Sequence, residues 1–205
     1  ARHVTSSGAL TPAILQSLAA RLAAARNPVL VVGAEVDEPD AYQAAVQLAE
    51  ASRMPVWIAP SSSRYAFPTT HALFQGVLPF AIGRLAAKLT GHDLILVFGA
   101  PVFRYHEYVP GAYLPAGAQL IAVTSDPAEA ARAPVGEAIV ADPKLVLRQL
   151  ADVVAPSARP PPQPRLRPLL ATDRTVPLSP EAVFDVLNEV KPDGAVIVNE
   201  STSNL

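Results

Sequence analysis

Two runs, Val29-Leu30-Val31-Val32-Gly33 and Leu94-Ile95-Leu96-Val97-Phe98, are apolar without interruption and rich in β-branched residues. A strand of that kind has no polar face to give to water, so it must be covered on both sides, as in a parallel sheet. Amphipathic stretches stand between such runs. Thr11-Pro12 supplies a capping hydroxyl and a proline at the first helical position, followed by Ile14, Leu15, Leu18 and Leu22 on one stripe. Further helices are predicted from about Pro39 to Ser52, Pro79 to Leu89, Pro127 to Ala133 and Pro143 to Val154, with strands at Val56–Ala59, Gln119–Thr124 and Ala138–Ala141. The alternation predicts an α/β fold: a Rossmann-like parallel sheet of about six strands over residues 11–154, with helices on both faces.

Composition changes from Pro156 to Pro177, where seven prolines stand among scattered arginines. Proline fixes φ and removes a donor, so this stretch is expected to be an extended connection between domains. Ser179-Pro180-Glu181 then opens a helix to about Val190, and Ala195-Val196-Ile197-Val198 reads as a strand. One helix and one strand cannot bury themselves. The expected organisation is a domain over 1–155, a linker over 156–178 and the truncated start of another domain over 179–205.

Of the 205 residues 50% are hydrophobic, enough for a packed core, and 16 basic against 18 acidic residues leave a net charge of −2 without a long block of either sign. A nucleic-acid partner is therefore not expected, and no apolar run is long enough to span a bilayer. With no cysteine, disulfides, thiolate nucleophiles and Cys-type zinc sites are excluded, which fits a reducing, cytoplasmic setting. The chain starts without Met and without the apolar core of a signal peptide, and is expected to be a piece of a longer protein.

The loop after the first strand, Gly33-Ala34-Glu35-Val36-Asp37, has one glycine where a dinucleotide fingerprint uses three, so NAD or FAD finds little support. Ser61, Ser62 and Ser63 lack a nucleophile elbow. No histidine pair has helical metal-binding spacing. Asp126, before Pro127, reads as a helix cap, and His71 and His92 read as structural. The loop after Leu94–Phe98 is different: Gly99-Ala100-Pro101-Val102-Phe103-Arg104-Tyr105-His106-Glu107-Tyr108 carries an imidazole among polar and aromatic side chains at the carboxyl end of a buried strand. Open α/β sheets present chemistry there, and an imidazole can take or give a proton near neutral pH. Arg104 and Tyr105 can cap this loop, pack on a neighbouring domain or shape a substrate pocket.

The same loop resembles the active-site loop in the central domain of the benzoylformate decarboxylase family of thiamine diphosphate (ThDP)-dependent enzymes. So do Pro55-Val56-Trp57-Ile58-Ala59-Pro60-Ser61, the run from Ser125-Asp126-Pro127 to Ala133-Pro134, and Asn199-Glu200-Ser201-Thr202-Ser203, in the family's order. The resemblance implies a carboxy-lyase that converts benzoylformate, an aryl 2-keto acid, to benzaldehyde and CO2 with ThDP and Mg2+ or Ca2+. It implies His106 as the proton-handling catalytic residue, and Thr202 and Ser203 as cofactor-binding residues at the start of the ThDP-binding domain. The whole enzyme would be a homotetramer, and 205 residues lacking the activating glutamate's domain and the Gly-Asp-Gly metal motif would be inactive alone. Two other readings stay open: another ThDP-dependent 2-keto acid decarboxylase or carboligase, and a non-catalytic Rossmann-like nucleotide-binding or interaction module.

Overall fold

The structure, a computed structural model, describes residues 8–102, 111–165, 173–196 and 198. Contacts divide the chain into two compact units, residues 1–165 and 166–205. In the first, six parallel strands form one sheet: β1 Pro28–Val32, β2 Val56–Ile58, β3 Phe74–Val77, β4 Leu94–Phe98, β5 Gln119–Thr124 and β6 Glu137–Val140, in the order β3-β2-β1-β4-β5-β6. The strand order reverses between β1 and β4, the place where open α/β sheets leave a crevice at their carboxyl edge.

β1 and β4 are buried at every residue, as their unbroken apolar runs require. The period of two divides their side chains between two cores. Leu30, Val32, Leu94, Leu96, Phe98, Ile121 and Val123 face α1 (Pro12–Ala24), α2 (Pro39–Ser52) and α5 (Pro143–Val153). Val29, Val31, Ile95, Val97, Leu120 and Ala122 face Ile82 and Leu85 of the short α3 (Ile82–Lys88), with Leu89 just beyond it. α4 (Pro127–Arg132) buries none of its residues.

Helix starts follow their sequence signals. Thr11, Asp126 and Asp142 accept hydrogen bonds from the first-turn amides of α1, α4 and α5, each ahead of a proline. Two readings are adjusted. α3 begins at Ile82 rather than at Pro79: Ala81 is still extended, at φ −70° and ψ 125°, and is the N-cap, without a side-chain hydrogen bond. β3 was not among the strands read from the sequence: its four residues, Phe74-Gln75-Gly76-Val77, include a glycine and only two large apolar side chains, and it pairs with β2 across a register shift at Val56/Trp57.

Pro156 to Arg165 lies against this same unit. The Ser157 amide donates to the Ala51 carbonyl at 2.6 Å. Arg159 crosses the carboxyl ends of α1 and α2: its Nε donates to Ala25 O (2.8 Å), its Nη1 to Ser52 O (2.9 Å) and its Nη2 to Ala23 O (3.2 Å) and to Leu22 O. Carbonyls at a helix end have no partner in their own helix, and a guanidinium with five donors in a planar fork satisfies several at once. Arg53 answers by donating to the Arg159 carbonyl, and further along Gln75 of β3 donates to Gln163 O at 3.1 Å.

The second unit contains α6, Pro180–Val190, capped by Ser179 through the Ala182 amide. Val183, Phe184, Leu187 and Val190 are exposed along it. Residues 195, 196 and 198 belong to no strand, in contrast to the sequence expectation, because a strand requires a neighbour to pair with and none stands there among the described residues.

Candidate functional site

The carboxyl edge of the sheet at the β1/β4 reversal is where a ligand would be sought. There the chain fills its own crevice. After β1, Ala34–Val36 form a single 3-10 turn. After β4, Gly99 turns with φ +66°, the left-handed region that favours glycine. The two loops touch backbone to backbone: the Gly33 amide donates to Phe98 O at 2.9 Å and the Glu35 amide to Gly99 O at 3.2 Å. A Cβ on Gly33 would meet the Ala100 Cβ at 2.4 Å, and one on Gly99 would meet the Glu35 Cβ at 2.7 Å. Neither glycine holds open a space for a pyrophosphate. Each admits the opposite loop.

Glu35 then extends past β4 to β5. Its Oε1 accepts from the Thr124 hydroxyl at 2.9 Å, and its Oε2 from the Ser125 amide at 3.0 Å and the Ser125 hydroxyl at 2.6 Å. Thr124 Oγ1 in turn accepts from the Asp126 amide at 3.1 Å, which ties the start of α4 to the same network. On the β2 side, Arg64 pairs with Asp37 at 3.2 Å and Ser62 donates to Arg64 O at 2.7 Å. Sequence reading did not single out Glu35, Thr124 or Ser125 as a group. The available signal was an acidic residue two positions past the glycine of the first βα loop, facing a Thr-Ser pair that closes β5.

Beneath the α3 side of this edge lies an apolar cavity of about 10 Å³, lined by Val31, Ala59, Leu85, Val97, Pro101 and Val102 among others. That is close to the least volume that admits a single water, and no polar group there would hold one.

His106, Arg104, Tyr105 and Glu107 lie outside the described residues, as do Thr202 and Ser203. The described chain ends on this side at Val102, three residues past Gly99. The other histidines described are engaged locally. His71 Nδ1 accepts from the Leu73 amide at 3.2 Å, its Nε2 lies 3.1 Å from Glu50 Oε1, and its ring meets Phe67 edge-on. Those contacts leave Nδ1 bare and the proton on Nε2. At the opposite, amino edge of the sheet, His92 Nδ1 lies 3.0 Å from the Asn27 carbonyl. Burial pushes its imidazole below the ordinary value, against the opposing pull of that carbonyl and of Asp93. Burial also pushes the Asp93 carboxyl up, but the amides of Arg26 (2.6 Å) and Asn27 (2.9 Å) donate to it and hold it below its usual value.

Among the described residues no three His, Cys, Asp or Glu side chains gather to hold a metal ion. With the crevice filled and no such cluster, the described residues do not fit a metal-bound diphosphate. No described helix is long and apolar enough to cross a membrane.

The chain resembles proteins whose names state an activity. It is 54% identical over 205 residues to the benzoylformate decarboxylase of Pseudomonas aeruginosa, matching 100% of this chain and 39% of that protein. It is 33% identical over 139 residues to the acetolactate synthase of Mycobacterium avium, covering 65% of this chain and 21% of that one. Among solved structures, the ThDP-dependent 4-hydroxybenzoylformate decarboxylase of Rhodococcus jostii RHA1 superposes with a TM-score of 0.90 at 52% identity, over 99% of this chain and 38% of the other. The benzoylformate decarboxylase of Polynucleobacter necessarius gives 0.86 at 36%, over 96% and 37%. The chain thus spans less than half the length of these relatives. Residues 15–150 match the family model for the central domain of thiamine pyrophosphate enzymes, and the chain belongs to that family.

Proposed function

We propose that the full-length protein is a ThDP-dependent carboxy-lyase acting on benzoylformate or a ring-substituted relative, releasing CO2 and the aryl aldehyde. The observation that carries this reading is identity of 54% sustained over all 205 residues to a benzoylformate decarboxylase. It is supported by the fit to a 4-hydroxybenzoylformate decarboxylase at 52% identity, against 33% over a shorter stretch to an acetolactate synthase. The cofactor would be held outside the described residues, with Thr202 and Ser203 lining its site and Mg2+ or Ca2+ binding its diphosphate. ThDP supplies the carbanion chemistry; the contribution proposed for this chain is a proton held and delivered at the His106 imidazole. Residues 1–155 would serve as the central domain, 156–178 as the connection and 179–205 as the start of the ThDP-binding domain. The whole enzyme would be a cytoplasmic homotetramer.

The test is aldehyde release by the full-length protein, supplied with ThDP and Mg2+, from benzoylformate, 4-hydroxybenzoylformate and pyruvate in parallel. An aryl substrate is expected to give the highest kcat/KM; preference for pyruvate would overturn the assignment. His106→Ala is expected to lower kcat about 100-fold, the scale of one general acid or base. An unchanged kcat and pH profile would make His106 an ordinary loop residue.

A further inference from the structure

We propose that the end of the sheet domain formed by β2, β3 and α3 is a docking face for an acidic protein surface. In a chain of net charge −2, no Asp or Glu occurs from Ala51 to His92 or from Val154 to Arg165, while Arg53, Arg64, Arg84, Lys88, Arg159 and Arg165 all fall within these two stretches. Neither is a basic block in the sequence. The fold joins them: the Ser157 amide donates to Ala51 O, Arg53 donates to Arg159 O, and Gln75 of β3 donates to Gln163 O at 3.1 Å. Three of the six cations are engaged. Arg53 and Arg159 bond main-chain carbonyls, and Arg64 pairs with Asp37 at 3.2 Å. Arg84, Lys88 and Arg165 are exposed, and none of them has a carboxylate partner among the described residues.

These three stand near one aromatic side chain. Lys88 Nζ lies 5.8 Å from the centroid of the Trp57 ring, and Arg84 precedes Lys88 by one turn on the same face of α3. On the neighbouring strand Gly76 is the register partner of Trp57, and a Cβ there would lie 3.4 Å from both Trp57 Cζ3 and Arg165 Nη1. Trp57 is partly buried, and Val77, next along β3, is 43% exposed. With no carboxylate beside them to cancel their field, the cations present positive potential on a molecule that is acidic as a whole, which favours an acidic partner. Three free cations are few for a nucleic-acid backbone, where affinity grows with each phosphate neutralised. Trp and Arg beside exposed apolar surface are the residue types that anchor protein interfaces. The occupant that fits is a protein surface whose carboxylates meet Arg84, Lys88 and Arg165 while an apolar or aromatic side chain lies against Trp57 and Val77.

The experiment is fluorescence anisotropy of labelled poly(Glu,Tyr), an acidic copolymer with aromatic side chains, titrated with the full-length protein. Saturable binding is expected at about 0.1 M salt and its loss at about 1 M, as the screening length shrinks from about 10 Å to about 3 Å. Lys88→Glu and Arg165→Glu are each expected to weaken binding about 10-fold, since each sets a like charge against the copolymer. Arg132→Glu on α4 changes the net charge equally and is expected to alter binding by less than about 2-fold if the face is local. All three side chains are exposed, so circular dichroism should report an unchanged fold in each variant. No saturable binding, or a loss in Arg132→Glu equal to that in Lys88→Glu, would overturn the docking face. Tighter binding of duplex DNA or of anionic phosphatidylserine vesicles than of poly(Glu,Tyr) would overturn the assignment of a protein partner.

Discussion

Arg159 shows how much structure one side chain can hold in a stretch whose composition gives little reason to expect burial. Its guanidinium bonds carbonyls at the ends of two helices, and neither helix closes with a glycine of its own. Arg159→Met would keep the aliphatic packing and leave those carbonyls to water. It is expected to cost about 2–3 kcal/mol, the usual scale for losing hydrogen bonds to a charged group, measured by urea unfolding of the 205-residue chain.

His92 supplies a second expectation at this scale. Its folded value is depressed by burial, so the unfolded chain binds the proton first, near pH 6.5, and the folded chain only at lower pH. The stability due to neutral His92 is fully present above about pH 6.5 and is lost as pH falls through the depressed folded value. His92→Gln is expected to flatten that part of the stability profile. The contribution of Asp93, whose carboxyl is also held low, fades only at more acidic pH, within the carboxylate range, and should persist in the variant. A profile unchanged by His92→Gln would show that the imidazole titrates alike in both states.

At the scale of elements, β1, β4 and β5 were legible because their apolar runs leave a single way to be buried, and α1, α4, α5 and α6 because a capping side chain and a proline mark their starts. β3 was not, since Phe74-Gln75-Gly76-Val77 shows neither alternation nor an apolar run and its place is set by pairing with β2 across a register shift. Val196 misled in the opposite direction: β-branched residues were present but the pairing was not. Of the site, sequence gave the loop after β4 but not Glu35 with Thr124 and Ser125, which stand 89 and 90 positions away and meet only when the sheet forms. Gly76 offers a test. A Cβ there would find ordinary contacts of 3.4 Å with Trp57 and Arg165, so at φ +121° the penalty is conformational, not steric. Gly76→Ala is expected to destabilise the domain by about 1–3 kcal/mol in urea unfolding. A neutral substitution would mean that β3 relaxes at its register shift.

For the molecule as a whole, the filled crevice and the absence of a metal cluster among the described residues lead to a direct expectation. Calorimetric titration of the 205-residue chain with ThDP and Mg2+ should give no micromolar binding, and aldehyde release from benzoylformate should stay at the level of free cofactor. Saturable binding would place a diphosphate site within these residues. The exposed Val183, Phe184, Leu187 and Val190 of α6 add a patch that water does not favour, so this chain should self-associate more readily than one ending before α6.

The proline-rich segment also decides where this protein can be cut. An expression boundary after residue 155, where the last helix of the sheet domain has ended, looks natural on a secondary-structure diagram. It would discard Arg159 and Ser157 together with Gln163, the residue beside the outer strand β3. Two helix ends would be left bare and a strand edge would be open to a neighbouring chain. A fragment ending at 165 is expected to remain monodisperse under conditions where one ending at 155 forms β-rich aggregates, a difference that light scattering during expression trials would reveal within a single purification.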